Sequence, residues 1–280
     1  MKVKKFKYII LILLILIPGV IFSWGEEGHK LIGKLAMQIL PDEMRQYREW
    51  QDYVSEHSSD ADNRKGIDST EGPKHYIDID YYHEFEVDSM IYKRNELESI
   101  YSDSLVTKMG ILPWATLETY NKLVKAFKEK NRDKTLIFLA DLSHYVADGH
   151  QPMHTMVNYN GQLTGQKGIH GRYEIEMFDK NLDNIKEMFE PHKISYVENK
   201  LNFIFNYLTE ANSYSPVLYS ADTYAFKLAG SRNSEEYYRL LWFKTKYVTV
   251  EQVSEAASDL ASLIYSAWID AGKPPFDEMK

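Results

Sequence analysis

Apolar residues recur at helical spacing along most of the chain. Leu31, Ile32, Leu35, Ala36, Ile39 and Leu40 share one face before Pro41 and predict a first helix. A charge-rich helical stretch over residues 42–56 follows. Leu117, Tyr120, Leu123, Val124 and Phe127 line one side of a helix over residues 112–130. The run from Thr135 to Ser143 opens another. It sets Ile137, Ala140 and Asp141 on the face of His144, and Gly149 and Pro152 end it. Residues 200–210, 220–228 and 234–246 also read as helical. A separate last helix starts at a Thr249/Gln252 capping box, buries Val253, Ala256, Ala257, Leu260, Leu263, Ile264 and Ala267, and stops at Gly272-Lys-Pro-Pro.

Three stretches break the helical period. Residues 57–66 cluster turn formers and read as a loop. Residues 71–80 alternate polar and apolar like a short extended segment. Residues 158–168 form a polar loop too long for a simple connector. No repeat or linker divides the chain, so the pattern predicts an all-α fold, a single compact multi-helix domain over residues 24–280.

The first 23 residues stand apart. Lys2, Lys4, Lys5 and Lys7 precede a short apolar run broken by Pro18-Gly19, and Ser23 follows. This is the pattern of a secretory signal peptide cut after Ser23, with a retained membrane anchor as the alternative. The expected location is therefore outside the cytoplasm. Losing those four lysines leaves 29 basic against 41 acidic residues, about −12. Such a balance excludes a broad basic track for duplex nucleic acid. It leaves room for a small phosphate ester, because bound cations can invert a local potential. There is no cysteine, so any zinc is held by nitrogen and oxygen alone.

Candidate chemistry lies in one ordered series. His144 and Asp148 are four apart on one helical face, and an imidazole and a carboxylate so placed can reach a single cation. His154 lies just past that helix, and His170 with Glu174 repeats the spacing. A cut after Ser23 would free the α-amino group of Trp24, which with its own carbonyl forms a five-membered chelate, and His29 is a short turn away. Asp60 and Asp62 lie in the turn-rich stretch, His75 and Asp78 in the extended one. Taken singly, each also reads as a helix cap, an Asx-turn or a buried histidine. His150 reads as a partner to a ligand, and His83 has no assigned role.

Taken together, the series from Trp24 to Glu174 resembles the superfamily of zinc-dependent phospholipases C and secreted single-strand-specific nucleases. The resemblance implies a cleft with three Zn2+ ions. The first would be held by Asp62, His75, His144 and Asp148, the second by His154, His170 and Glu174. The third would use Trp24, His29 and the other oxygen of Asp148, which bridges. Asp62 is preferred over Asp60 because Ala61-Asp62 fits the family's small-residue-Asp pattern, although Asp60 fits the nuclease spacing to the histidine better. Glu174 is the phospholipase choice at the last ligand, whereas the opening Trp-Gly-x-x-Gly-His is nearer the nucleases.

The implied function is phosphodiester hydrolysis by an activated water, on a phospholipid head group or on single-stranded nucleic acid. Asp148 and Asp78 carry the catalytic assignments. Asp78 would orient the water, with Arg64-Lys65 locking it, or would partner a ligand histidine. Tyr159, Tyr173 and Phe178 are candidate substrate-wall aromatics. No obligate protein partner is implied. The contrasting reading is a non-catalytic exported domain stapled by structural zinc.

Overall fold

A computed structural model describes residues 24–280, so the expected signal segment lies outside the described residues. No strand occurs among them. The chain opens with α1 (Glu26–Gln38), a 3-10 turn over Asp42–Trp50 and α2 (Gln51–His57). The turn-rich stretch read as a loop instead holds a short helix, α3 (Asp60–Arg64). Asp60 and Asp62 supply negative charge to its first turn, which favours a helix as readily as a turn. Residues 71–80 are extended only around Tyr76–Asp78, between 3-10 turns at Gly72–His75 and Ile79–Tyr81.

Three short helices, α4 (His83–Glu86), α5 (Arg94–Tyr101) and α6 (Asp103–Lys108), lead to α7 (Leu112–Lys128) and α8 (Arg132–Gly149). Then come α9 (Ile169–Gly171), a π-helical stretch over Arg172–Met177, α10 (Phe178–Lys180) and α11 (Leu182–Met188). The chain ends with α12 (Lys200–Ser213), α13 (Ser215–Ala229) and α14 (Glu235–Asp270). The expected break before Thr249 is absent, since α14 runs unbroken for 36 residues. No Gly or Pro interrupts it, and the proposed cap is spent elsewhere. Thr249 Oγ1 bonds the Thr245 carbonyl, and Gln252 bonds Glu255.

Two cores flank α8. The larger gathers α1, α7, α8 and α14, including Trp24, Ile32, Leu139, Val146, Leu260 and Ile264. The smaller joins Ile77, Ile79, Leu97, Val106, Tyr145 and Leu208. Every residue from Leu142 to Gly149 is buried, as expected of a helix covered on all sides. Ile137 is the exception on the His144 face. Near the start of α8 that face emerges into solvent, and Ile137 is 47% exposed.

The extended residues 189–199 lie along α14, which has no strand edge to offer their N–H groups. Serines at every fourth position supply acceptors instead. The amides of Glu190, His192, Ser195 and Val197 donate to the hydroxyls of Ser254, Ser258, Ser262 and Ser266 at 3.3, 2.9, 3.3 and 2.9 Å. Four helical residues rise about 6 Å, and the extended segment advances two, three and then two residues per step to keep pace with the serines.

Gly110 fixes where the His75 segment meets α7. Its φ is +92°, and a Cβ there would lie 2.1 Å from the Tyr76 carbonyl oxygen. Neither the backbone angle nor the clash can be relieved by a side-chain rotation. Gly110→Ala is expected to cost about 3 kcal/mol, or roughly 6–12 °C in Tm. A thermal melt within a degree of wild type would mean that this junction yields.

Candidate metal centre

The donors come from several separate elements around the end of α8. His29 comes from α1, Asp62 from α3, and His144 and Asp148 from α8. His75 and His154 each close a 3-10 turn, and His170 and Glu174 straddle the start of the π-helical stretch. A π turn is an uncommon local solution that recurs at functional sites. All eight side chains are buried, none more than 5% exposed.

Asp148 is the hub. Its Oδ2 lies 3.0 Å from His75 Nδ1 and 3.2 Å from His144 Nε2. Its Oδ1 faces the other way, 3.5 Å from His29 Nε2 and 3.7 Å from His154 Nδ1, and makes no hydrogen bond. Asp62 Oδ1 completes the first group, 3.5 Å from His75 and 3.6 Å from His144. In the second group His170 Nε2 lies 2.7 Å from Glu174 Oε2 and 3.1 Å from His154 Nε2.

Backbone carbonyls fix which nitrogens look inward. His144 Nδ1 donates to the Ser58 carbonyl at 2.7 Å, and His154 Nδ1 to the His75 carbonyl at 2.6 Å. Each neutral ring then carries its lone pair on Nε2, aimed at other acceptors. His144 Nε2 lies 2.8 Å from His75 Nδ1. Such convergence is repulsive unless a proton or a cation lies among the donors. Donors at 2.0–2.1 Å from one tetrahedral ion stand about 3.3 Å apart, close to the spacings found here. The donor set fits zinc.

Electrostatics agree with that geometry. Burial, with His144 next, pushes His29 down to about 3. Burial is the largest single effect on His144 and His154 and pushes both down, but Asp148 with Asp62 at the one and with Glu174 at the other together outweigh it, and both end above the ordinary value. Burial opposes ionisation of Asp148 as well, yet His144 and His154 hold it well below the carboxylate range.

The remaining sequence candidates separate cleanly. Asp60 is exposed and pairs with His57 at 2.8 Å, whereas Asp62 is buried in the cluster. His150 turns away from the cluster, bonding the Val146 carbonyl and Asp259. Trp24 is buried, its ring against Phe178 and Tyr173 at 5.2 and 6.2 Å. Tyr173 and Phe178 are therefore core and cannot form a substrate wall. Tyr159 is half-buried beside His170, with ring centroids 5.9 Å apart. Asp78 sits on the same segment as His75, but no hydrogen bond or ion pair joins it to the cluster among the described residues.

Arg64 and Lys65 do not lock Asp78. Arg64 reaches Asp141 at 2.9 Å and Glu71 at 3.4 Å, and Lys65 reaches Asp62 at 2.5 Å. Three nearer carboxylates capture these two cations.

Glu71 was missed from sequence. It is buried behind the His75 ring, 3.5 Å from Nε2, and takes bonds from Lys74, Arg64 and the Tyr145 hydroxyl. A carboxylate on the outer nitrogen sets a ligand histidine's tautomer and orientation. Its only sequence signal was the Glu71/His75 spacing of four, one helical turn.

The sequence matches the S1/P1 nuclease family over residues 24–265. The chain belongs to that family. No curated protein matches it. Among solved structures this S1/P1 nuclease relative is similar to an alpha toxin from Clostridium absonum, at 14% identity and a TM-score of 0.54. The overlap covers 89% of this chain and 66% of the toxin, and at that identity the likeness is one of fold. Family and fold together place the chain in the zinc phospholipase C and nuclease superfamily, as the residue series implied.

Burial raises the Glu71 carboxyl, but bonds from His75, Lys74 and Tyr145 outweigh it and hold the group well below its ordinary 4.5. Its ionised form therefore stabilises the fold in full above about pH 4.5, and that contribution is lost as pH falls from there towards the depressed folded value. The Tm gap between wild type and Glu71→Gln should be widest at neutral pH and close below about pH 4.5. A gap that stays constant down to pH 3 would remove charge from the explanation.

Proposed function

We propose that the chain is an exported, zinc-dependent phosphodiester hydrolase acting on single-stranded nucleic acid. The observation that carries this reading is Asp148, a buried carboxylate whose two oxygens face different histidine sets. Such a group can join two cations and hold them close. Asp62, His75, His144 and Asp148 Oδ2 would hold one zinc, and His154, His170 and Glu174 a second. His29 and Asp148 Oδ1 would hold a third together with the α-amino group of Trp24. That amine exists only once residues 1–23 are removed. The family match beginning at residue 24 supports the cut, and the mass of the exported protein's N-terminal peptide tests it.

Zinc in these positions polarises phosphoryl oxygens and lowers the pKa of a bound water. The chain supplies the rest. Lys65 holds Asp62, Glu71 holds His75, and carbonyls of Ser58 and His75 hold His144 and His154. Asp78 is the proton acceptor for the attacking water. Burial, and then Asp80, pushes it up to about 7, where a carboxylate can take a proton and release it again. Tyr159 offers the half-buried ring on which a base can stack. One observation favours a second reading: Glu174 at the last ligand position is the phospholipase choice, so a lipid head group is the competing substrate.

The deciding experiment uses bis-nitrophenyl phosphate, single-stranded DNA and phosphatidylcholine vesicles in parallel. Hydrolysis of the first two should vanish on chelation and return with Zn2+. Asp148→Asn should lose more than one equivalent of zinc and nearly all turnover. Tyr159→Ala should lower kcat/KM on DNA roughly tenfold, the worth of one stacked base, and leave bis-nitrophenyl phosphate unchanged. Turnover of phosphatidylcholine alone would transfer the proposal to lipid. A zinc-loaded protein inert on all three would leave only structural metal.

A further inference from the structure

Outside the buried centre, one other group of side chains among the described residues brings metal-type donors together. Glu251, Glu255 and Asp259 stand four apart on one face of α14, and Glu210 of α12 adds a fourth carboxylate to their surroundings. Asp259 is answered by His150 at 3.1 Å. The other end of the row meets His192, whose Nε2 lies 3.6 Å from Glu251 Oε1. Donor atoms of His192, Glu251 and Glu255 all lie within 4.8 Å of one another.

Two features make this more than a surface cluster. The His192 backbone is pinned, because its amide donates to Ser258 Oγ in the serine ladder. The imidazole is thereby presented to α14 by a fixed segment rather than a wandering loop. The second feature is Gln252. It is fully buried, its Nε2 donates to Glu255 Oε2 at 2.7 Å, and its Oε1 has no hydrogen-bond partner. A buried amide oxygen left unpaired costs stability, and beside a carboxylate it is a natural cation ligand.

We propose that His192, Glu251 and Glu255, with Gln252 Oε1 as fourth donor, form an additional divalent-cation site that staples residues 189–199 to α14. One imidazole and three oxygens suit Zn2+ or Mn2+. The site shares no residue with the centre around Asp148. Its occupancy therefore does not depend on what that centre catalyses.

The test reads binding alone. Wild type, His192→Ala and Glu255→Gln are each dialysed against Zn2+ and then against metal-free buffer, and the bound zinc is counted by elemental analysis. Wild type should hold one equivalent more than either variant, at unchanged circular dichroism. Amide hydrogen exchange over residues 190–197 should slow as Zn2+ is added to wild type and not to the variants. Equal zinc content in wild type and both variants, or exchange over 190–197 that ignores the added metal, would overturn the site.

Discussion

The whole arrangement depends on one carboxylate in the last turn of α8, where that helix is covered on all sides. Asp148 is fully covered, and burying a charge is costly unless it is paired. Here the pairing is distributed. One oxygen answers His75 and His144, the other faces His29 and His154, and these come from four separate elements. The donors thus impose a condition on the fold: α1, α8 and the two 3-10 turns must reach one point together. The rings of His29 and His144 stack at 4.0 Å, which needs α1 and α8 very close. Gly33 allows this approach, since a Cβ there would lie 2.8 Å from Ser143 Oγ.

The supports around the donors are mostly backbone and carboxylate. Carbonyls of Ser58 and His75 turn two imidazoles, and Glu71 backs a third. The π-helical stretch with Glu174 is anchored to the far helices. Arg172 reaches Asp222 of α13 at 3.0 Å, and the Tyr173 hydroxyl meets Thr249 Oγ1 of α14 at 3.0 Å. The long α14 therefore acts on the site without contributing a ligand to it. Its unbroken run past Thr249 matters, because that threonine packs against Tyr173, next in the chain to Glu174.

What could be read in advance follows from range. His144 and Asp148 share a face by helical period alone, and the apolar stripes of α1, α7 and α8 fix the fold class. The misreadings are cases where a side chain found a partner other than the one its local pattern suggested. Thr249 and Gln252 spell a helix start, yet each found a partner inside a continuing helix. The choice of Asp62 over Asp60 comes from the family pattern rather than from the turn-rich stretch itself, and packing agrees with it: Asp62 goes in and Asp60 out. Arg64 and Lys65 were matched to the wrong acid, because Asp141 lies 77 residues from Arg64 in the chain. The serine ladder has a period of four in plain sight, but its acceptor role exists only once residues 189–199 lie on α14.

The protonation pattern argues for what the centre is built to hold. His29 is driven to about 3 while His144 and His154, facing the same carboxylate, are driven upward. Protons alone would thus charge some rings and not others, and each proton serves one pair of donors. Yet the backbone bonds on His144 and His154 leave both inner nitrogens bare in the neutral form, and Asp148 Oδ1 keeps an unused lone pair. A divalent cation can be shared by three or four donors at once, which a proton cannot. The same supports that turn the lone pairs inward set the donor positions a cation would need, so the packing that buries Asp148 and the geometry that would hold a metal are one arrangement.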